Sequence, residues 1–182
     1  AVLDALIDIV TQQDLRPEEI SEIRIGTNPI LAAIPHYPTA TTGLNARYSL
    51  RYSSAVALID RSAGLAQFTD ARVQKEDVQE LLNRIHVYPA PQFQNTTDPR
   101  KQTFAILDVH CTDGRIFHIE TGYAKGFPQN ALTYNELVSK FNECADFGNY
   151  NRNKADQIRD LIENLDDGSP ISALAESLGA RK

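Results

Sequence analysis

The run from Asn45 to Asp60, NARYSLRYSSAVALID, constrains this chain more than any other stretch. It is the longest helix-compatible run in the middle of the sequence. Tyr48 and Tyr52 are four residues apart, so a helix puts them on one face, with Ala55 and Ile59 continuing it. Arg47 and Arg51 share an adjacent face. Leu50 and Ala57 lie opposite, so apolar side chains surround most of the circumference. A helix of this kind is buried on more than one side. Arginines and phenol hydroxyls inside a protein need partners. The run therefore reads as a helix at an internal interface, with polar groups turned into a pocket.

The flanking sequence supplies a small sheet. Ser21 to Thr27 alternates, with Ile23 and Ile25 on one face, and reads as a strand. A short strand is expected near His86 to Tyr88. Phe104 to Cys111 and Ile116 to Tyr123 flank Thr112-Asp113-Gly114-Arg115. Asp-Gly between two apolar runs predicts a hairpin with a type I′ turn. Residues 28–43 carry Pro29, Pro35, Pro38 and several threonines, which predicts a long loop of the kind that is often functional. Val78, Leu81, Leu82 and Ile85 predict a second covering helix.

The ends read as helix. Val2, Leu3, Leu6, Ile9 and Val10 share one face near the start. Thr133-Tyr134-Asn135-Glu136 is a capping box ahead of Leu137, Phe141 and Cys144. Ile158, Leu161, Ile162 and Leu165 form another stripe, stopped by Asp166-Asp167-Gly168. Ser169-Pro170 is expected to cap a last short helix. The expected fold class is α+β, a small antiparallel sheet with helices packed on it, followed by C-terminal helices of an all-helical domain. The expected divisions are residues 1–14 as a helix of that helical domain, 15–128 as the α+β domain, and 129–182 as helices returning to the helical domain. The face of Val2, Leu6, Ile9 and Val10 would then dock on a helical partner.

Composition narrows the function. The net charge is −6 with no basic block, which argues against a nucleic-acid partner. No apolar run approaches the roughly 20 residues needed to span a bilayer, and no membrane association is expected. No secretory signal is visible, so a cytoplasmic location is expected and the sequon Asn95-Thr96-Thr97 carries no weight. Cys111 and Cys144 are far apart and read as free buried thiols. The chain has no methionine and opens on Ala1 inside a helical pattern. It reads as a piece of a longer polypeptide or a processed subunit.

Several stretches together resemble the MmgE/PrpD family, which includes 2-methylcitrate dehydratase, cis-aconitate decarboxylase and iminodisuccinate epimerase. Ala46-Arg47-Tyr48-Ser49-Leu50-Arg51-Tyr52, continued by Ala55 to Leu58, is similar to the family's A-[KR]-[FY]-S-x-x-Y-x-x-A-x-A-L stretch. Ile23-Arg24-Ile25 looks like its first strand in this region. Gly64 to Thr69 resembles its G-L-x-x-F-[ST], and Asp113-Gly114 its hairpin. Lys125-Gly126-Phe127-Pro128-Gln129-Asn130 and Lys140 to Ala145 resemble its [KR]-G-x-P-x-N-P and K-F-x-x-C-A. The chain departs from the pattern at Arg61, where glycine is common, and at Ala131, where proline is usual.

The resemblance implies a smaller α+β lid and a large helical domain, with the active site between them and most acid–base residues outside this chain. It implies proton removal next to a carboxylate with loss of water or carbon dioxide, or epimerisation, on a small di- or tricarboxylate. It further implies no metal, no cofactor and a homodimer. Tyr52, the tyrosine of S-x-x-Y, would be the catalytic residue contributed here, as an acid. The alternative is a core tyrosine with a satisfied hydroxyl. Arg47 and Arg51 would clamp substrate carboxylates; the alternative is ion pairing at the domain interface. Ser49 would bind substrate or cap the helix. His36, in the proline-rich loop, could reach the cleft or stay on the surface. His86, His110 and His118 fall on sheet faces, without metal-ligand spacing. Separated from the helical domain or a companion chain, the same fold could be a non-catalytic binding module.

Overall fold

The computed structural model describes residues 1–33, 40–94, 98, 102–168 and 170–179. His36, the sequon at Asn95 and the Ser169 cap lie outside the described residues. The chain divides into two units, Ala1–Leu132 and Thr133–Lys182.

In the first unit a four-stranded sheet forms the base. Strand β1 (Ile20–Thr27) pairs with β3 (Ala105–Cys111), which pairs with β4 (Ile116–Glu120), and β2 (Ile85–Pro89) lies on the other side of β1. The fold class is α+β, as expected. The pairs β1–β3 and β3–β4 are antiparallel, but β1 and β2 run parallel, so the sheet is mixed. A parallel pair needs a crossover of about a dozen residues or more. The helices between β1 and β2 supply it: α2 (Pro29–Ala33), α3 (Gly43–Arg47), α4 (Leu50–Asp60), α5 (Asp70–Val73) and α6 (Glu76–Leu82). Strand alternation sorts the faces. Ile23, Ile25 and Thr27 of β1 are buried inward, while Glu22 and Arg24 lie on the other side, and the register shifts between Ile20 and Glu22.

Helix α4 lies at the centre of the covering layer. Its Tyr52, Ala55, Val56 and Ala57 are fully buried. Helix α1 (Val2–Gln12) packs on α4 and buries Val2, Leu6 and Val10 in the same core. Three residues of the apolar face expected to meet a partner, Val2, Leu6 and Val10, are buried within this unit.

The expected single helix over 45–60 is two. Helix α3 ends at Arg47, and Ser49 caps α4 by accepting the Tyr52 N–H at 3.2 Å. Serine in extended backbone is a preferred cap because it satisfies one of the open N–H groups of the first turn. Part of the expected loop over 28–43 is also helical. The Asn28 carboxamide oxygen accepts from the Ile30 N–H at 2.8 Å, and Pro29 is pre-set for the first helical position of α2. The hairpin forms, but only Gly114 has a positive φ, +89°, so the turn is not type I′. Cys111 N–H donates to the Arg115 carbonyl at 2.8 Å across the longer loop.

Arg61 closes α4 in the left-handed region at φ +50°. Its guanidinium bonds the Asp14 carboxylate at 2.7 Å, a compensation glycine could not make. In the second unit, α7 (Tyr134–Phe147) starts on the Thr133–Glu136 capping box, α8 (Arg152–Glu163) on Asn151, and α9 (Ile171–Gly179) follows. Their apolar stripes are mostly open. Tyr134, Leu137, Phe147, Ile162, Ile171 and Leu178 are all exposed.

Gly43 starts α3 pressed against the following turn. A Cβ there would sit 1.9 Å from the Phe68 carbonyl oxygen, and the Gly43 N–H already donates to Asp70 at 2.7 Å. Backbone cannot retreat as a side chain can. Gly43→Ala is therefore expected to cost about 3 kcal/mol, the upper end for overpacking. Urea unfolding measures it, and a loss below about 0.5 kcal/mol would contradict this packing.

Candidate functional site

A cleft of about 440 Å³ opens where the C-terminal end of β1 meets the start of α4. Its floor is apolar, with Leu3 from α1, Leu31 from α2 and Leu50 from α4. Its polar groups are few: Thr27, Arg47, Tyr48 and Ser53, with Asp4, Thr103 and Lys125 at the edges. Small-molecule sites commonly combine an apolar lining with a few placed polar groups.

The break at Ser49 decides which residues reach this cleft. It turns Arg47 and Tyr48 out of the buried face; Tyr48 is 64% exposed while Tyr52 is 0%. Arg47 is exposed and makes no hydrogen bond or ion pair among the described residues. Asp4, by contrast, is engaged. Its carboxylate accepts from the backbone N–H of Lys125 at 3.1 Å.

The other expected site residues go elsewhere. Arg51 donates from its guanidinium to the Leu82 carbonyl at the end of α6, and its Nε is buried without a partner among the described residues. A cation is favourable at a helix C-terminus. Ser49 is 1% exposed and serves as the cap of α4. The two arginines at four-residue spacing thus face different surroundings, because they belong to different helices.

Tyr52 heads a second polar group. Its hydroxyl donates to the Gln67 carbonyl at 2.5 Å, and its ring leans on Phe68 with centroids 5.8 Å apart. The Gln67 carboxamide donates to Asp60 at 3.1 Å and accepts from the Gly64 N–H at 3.0 Å. Arg72 grips Asp60 in a fork, at 2.9 and 2.7 Å, and reaches Asp77 at 2.9 Å. Forked arginine–carboxylate pairs are the stronger kind. The Arg72 bonds hold the Asp60 carboxyl below its usual range. Burial raises the Tyr52 phenol from an ordinary 10.0 to about 12. In this conformation Tyr52 ties α4 to the 3-10 turn at Leu65–Phe68.

The histidines decorate the outer sheet face. His118 Nδ1 lies 2.6 Å from Asp108, and His86 lies 3.8 Å from Glu22. Among the described residues no group of three or more His, Cys, Asp or Glu side chains is placed to hold a metal. Cys111 is buried, and burial pushes its thiol up; Cys144 is exposed, contrary to the expectation that both thiols are buried. Among the described residues no helix is long and apolar enough to cross a membrane.

Compared with known protein families, residues 1–167 match the MmgE/PrpD C-terminal domain. The chain belongs to the MmgE/PrpD family. Members of this family are generally lyases or isomerases. No curated protein matches the chain. In this MmgE/PrpD domain the A-R-Y-S-L-R-Y motif spans the helix break, so Arg47, Tyr48 and Leu50 line the cleft while Tyr52 enters the core. Sequence reasoning did not pick out Thr27, Ser53 or Lys125 as site residues. Thr27 carried a signal, since it ends the inward row Ile23, Ile25 with a hydroxyl.

Tyr52→Phe removes the bond to Gln67 and is expected to cost about 1 kcal/mol at neutral pH. It should also alter the alkaline limb. The folded phenol titrates higher than the unfolded one, so its stabilisation is complete below pH 10 and is lost as pH rises toward 12. Urea midpoints for the wild type should fall more steeply over that interval than those of the variant. Parallel curves would contradict the burial of this hydroxyl.

Proposed function

We propose that this chain is the C-terminal part of a lyase acting on a small di- or tricarboxylate, with Arg47 holding one carboxylate at the mouth of the cleft. The supporting observation is the Arg47 guanidinium, without a hydrogen bond or ion pair among the described residues, beside an apolar-floored cavity. A guanidinium matches a carboxylate with two parallel bonds and keeps its charge at any working pH. Fixing the substrate this way also draws charge from the carboxylate as a proton leaves the neighbouring carbon. In a dehydration the electron pair left by that proton forms the C=C bond while the hydroxyl takes up a proton and leaves as water; in a decarboxylation no proton is removed first, and the carbon freed by C–C cleavage takes up a proton as carbon dioxide departs.

Asp4, the cleft's carboxylate, is already engaged, so the reading assigns the base to a helical domain that meets this surface. The uncovered stripes on α7, α8 and α9 support such a partner. The homodimer and the cytoplasmic location implied by the resemblance are parts of the same proposal. We assign Tyr52 a direct acid role only if the Gln67 carbonyl releases its hydroxyl when substrate binds.

In the enzyme assembled with its helical domain, Arg47→Gln should raise KM for the tricarboxylate about ten-fold, the effect of losing one charge-assisted contact. Arg47→Lys should recover part of it. An unchanged KM in Arg47→Gln would contradict the assignment.

A further inference from the structure

The sequence holds two Asp-Gly pairs, Asp113-Gly114 and Asp167-Gly168. Their turns are alike. Both glycines have positive φ, +89° and +90°, and both pairs are exposed. Gly114 N–H donates to the Cys111 carbonyl at 3.2 Å, and Gly168 N–H to the Leu165 carbonyl at 3.3 Å. The carboxylates differ. Asp113 Oδ1 accepts the Arg115 backbone N–H at 3.0 Å, and its Oδ2 accepts the Arg115 Nε–H at 2.6 Å. The Arg115 guanidinium lies 5.8 Å from the Phe117 ring centroid, which steadies it. The Asp167 side chain makes no hydrogen bond or ion pair among the described residues.

We propose that Asp167-Gly168 is a site of spontaneous isomerisation to iso-aspartate, and that Arg115 shields Asp113-Gly114 from the same reaction. Glycine carries no Cβ, so nothing shields its nitrogen from the preceding carboxyl. The Gly168 nitrogen attacks Cγ of the protonated Asp167 carboxyl. A C–N bond forms, and the amide proton leaves with one carboxyl oxygen as water. The product is a cyclic succinimide. Water then adds to the carbonyl on the α-carbon side and that C–N bond breaks, the nitrogen taking up a proton. The chain is left joined through Cγ, with no change of oxidation state. At Asp113 the carboxyl must first leave two donors before Cγ can turn toward Gly114. Those two bonds, backbone first and side chain second, also hold its carboxyl below the usual range, away from the reactive acid form. Iso-aspartate at position 167 adds a methylene to the backbone between α8 and α9, which pack on each other.

Peptide mapping with electron-transfer fragmentation distinguishes the two linkages after warm storage of the chain at neutral pH. Iso-aspartate should accumulate about ten-fold faster at Asp167 than at Asp113, the effect of one charge-assisted contact. In heavy-oxygen water each product should carry one solvent oxygen. Arg115→Ala should speed Asp113 about five-fold, the worth of one ordinary hydrogen bond, and leave Asp167 unchanged. In guanidinium, where neither turn persists, the two rates should converge. No iso-aspartate at Asp167, or equal rates in the folded chain, would overturn the site. An unchanged Asp113 rate in Arg115→Ala, or a difference that survives unfolding, would overturn the role of Arg115.

Discussion

The cap at Ser49 is the interaction on which the arrangement of this domain depends. One hydroxyl accepting one N–H starts α4 afresh after α3 has ended at Arg47. Without that break, Arg47 and Arg51 would share a face, and so would Tyr48 and Tyr52. With it, Tyr52 enters the core and Tyr48 faces out. A cap of this kind contributes about 1 kcal/mol. Its larger effect is to divide one motif between two environments, one that can hold a ligand and one that holds the fold.

The buried side of that division is well tied down. The Tyr52 hydroxyl, the Gln67 carboxamide and the forked Asp60–Arg72–Asp77 group connect the end of α4 to the turns that follow. Each partner satisfies another, so the group avoids the cost of burying lone polar atoms. Ser54 is the exception. It is 0% exposed and its hydroxyl has no partner among the described residues. Beneath α4 the inward residues of β1 and β3 are aliphatic until Thr27, where the layer opens into the cleft.

Much of this was legible in the residues. The alternation at Ile23 and Ile25, the Asp113-Gly114 hairpin and the Thr133–Glu136 capping box each express a local rule and each formed. Three features resisted. The parallel pairing of β2 depends on where a long crossover returns, which no local pattern records. The split at Ser49 was hidden because Leu50 to Asp60 is a good helix and Ala46 to Tyr48 is too, so periodicity runs across the cap. The turn at Gly114 needed one positive φ where the dipeptide suggested two. In the site, spacing grouped Arg47 with Arg51, and the helix break separated them. Thr27 and Ser53 line the same cleft from β1 and α4, elements far apart in the chain, so neither could be paired from sequence.

The most direct measurement is a crystal structure of the chain grown with citrate. The account predicts α3 and α4 separated at Ser49, with a carboxylate forked on the Arg47 guanidinium in the cleft beside Leu31 and Leu50. A continuous helix from 45 to 60, or citrate bound through Arg51 with Arg47 turned away, would contradict it.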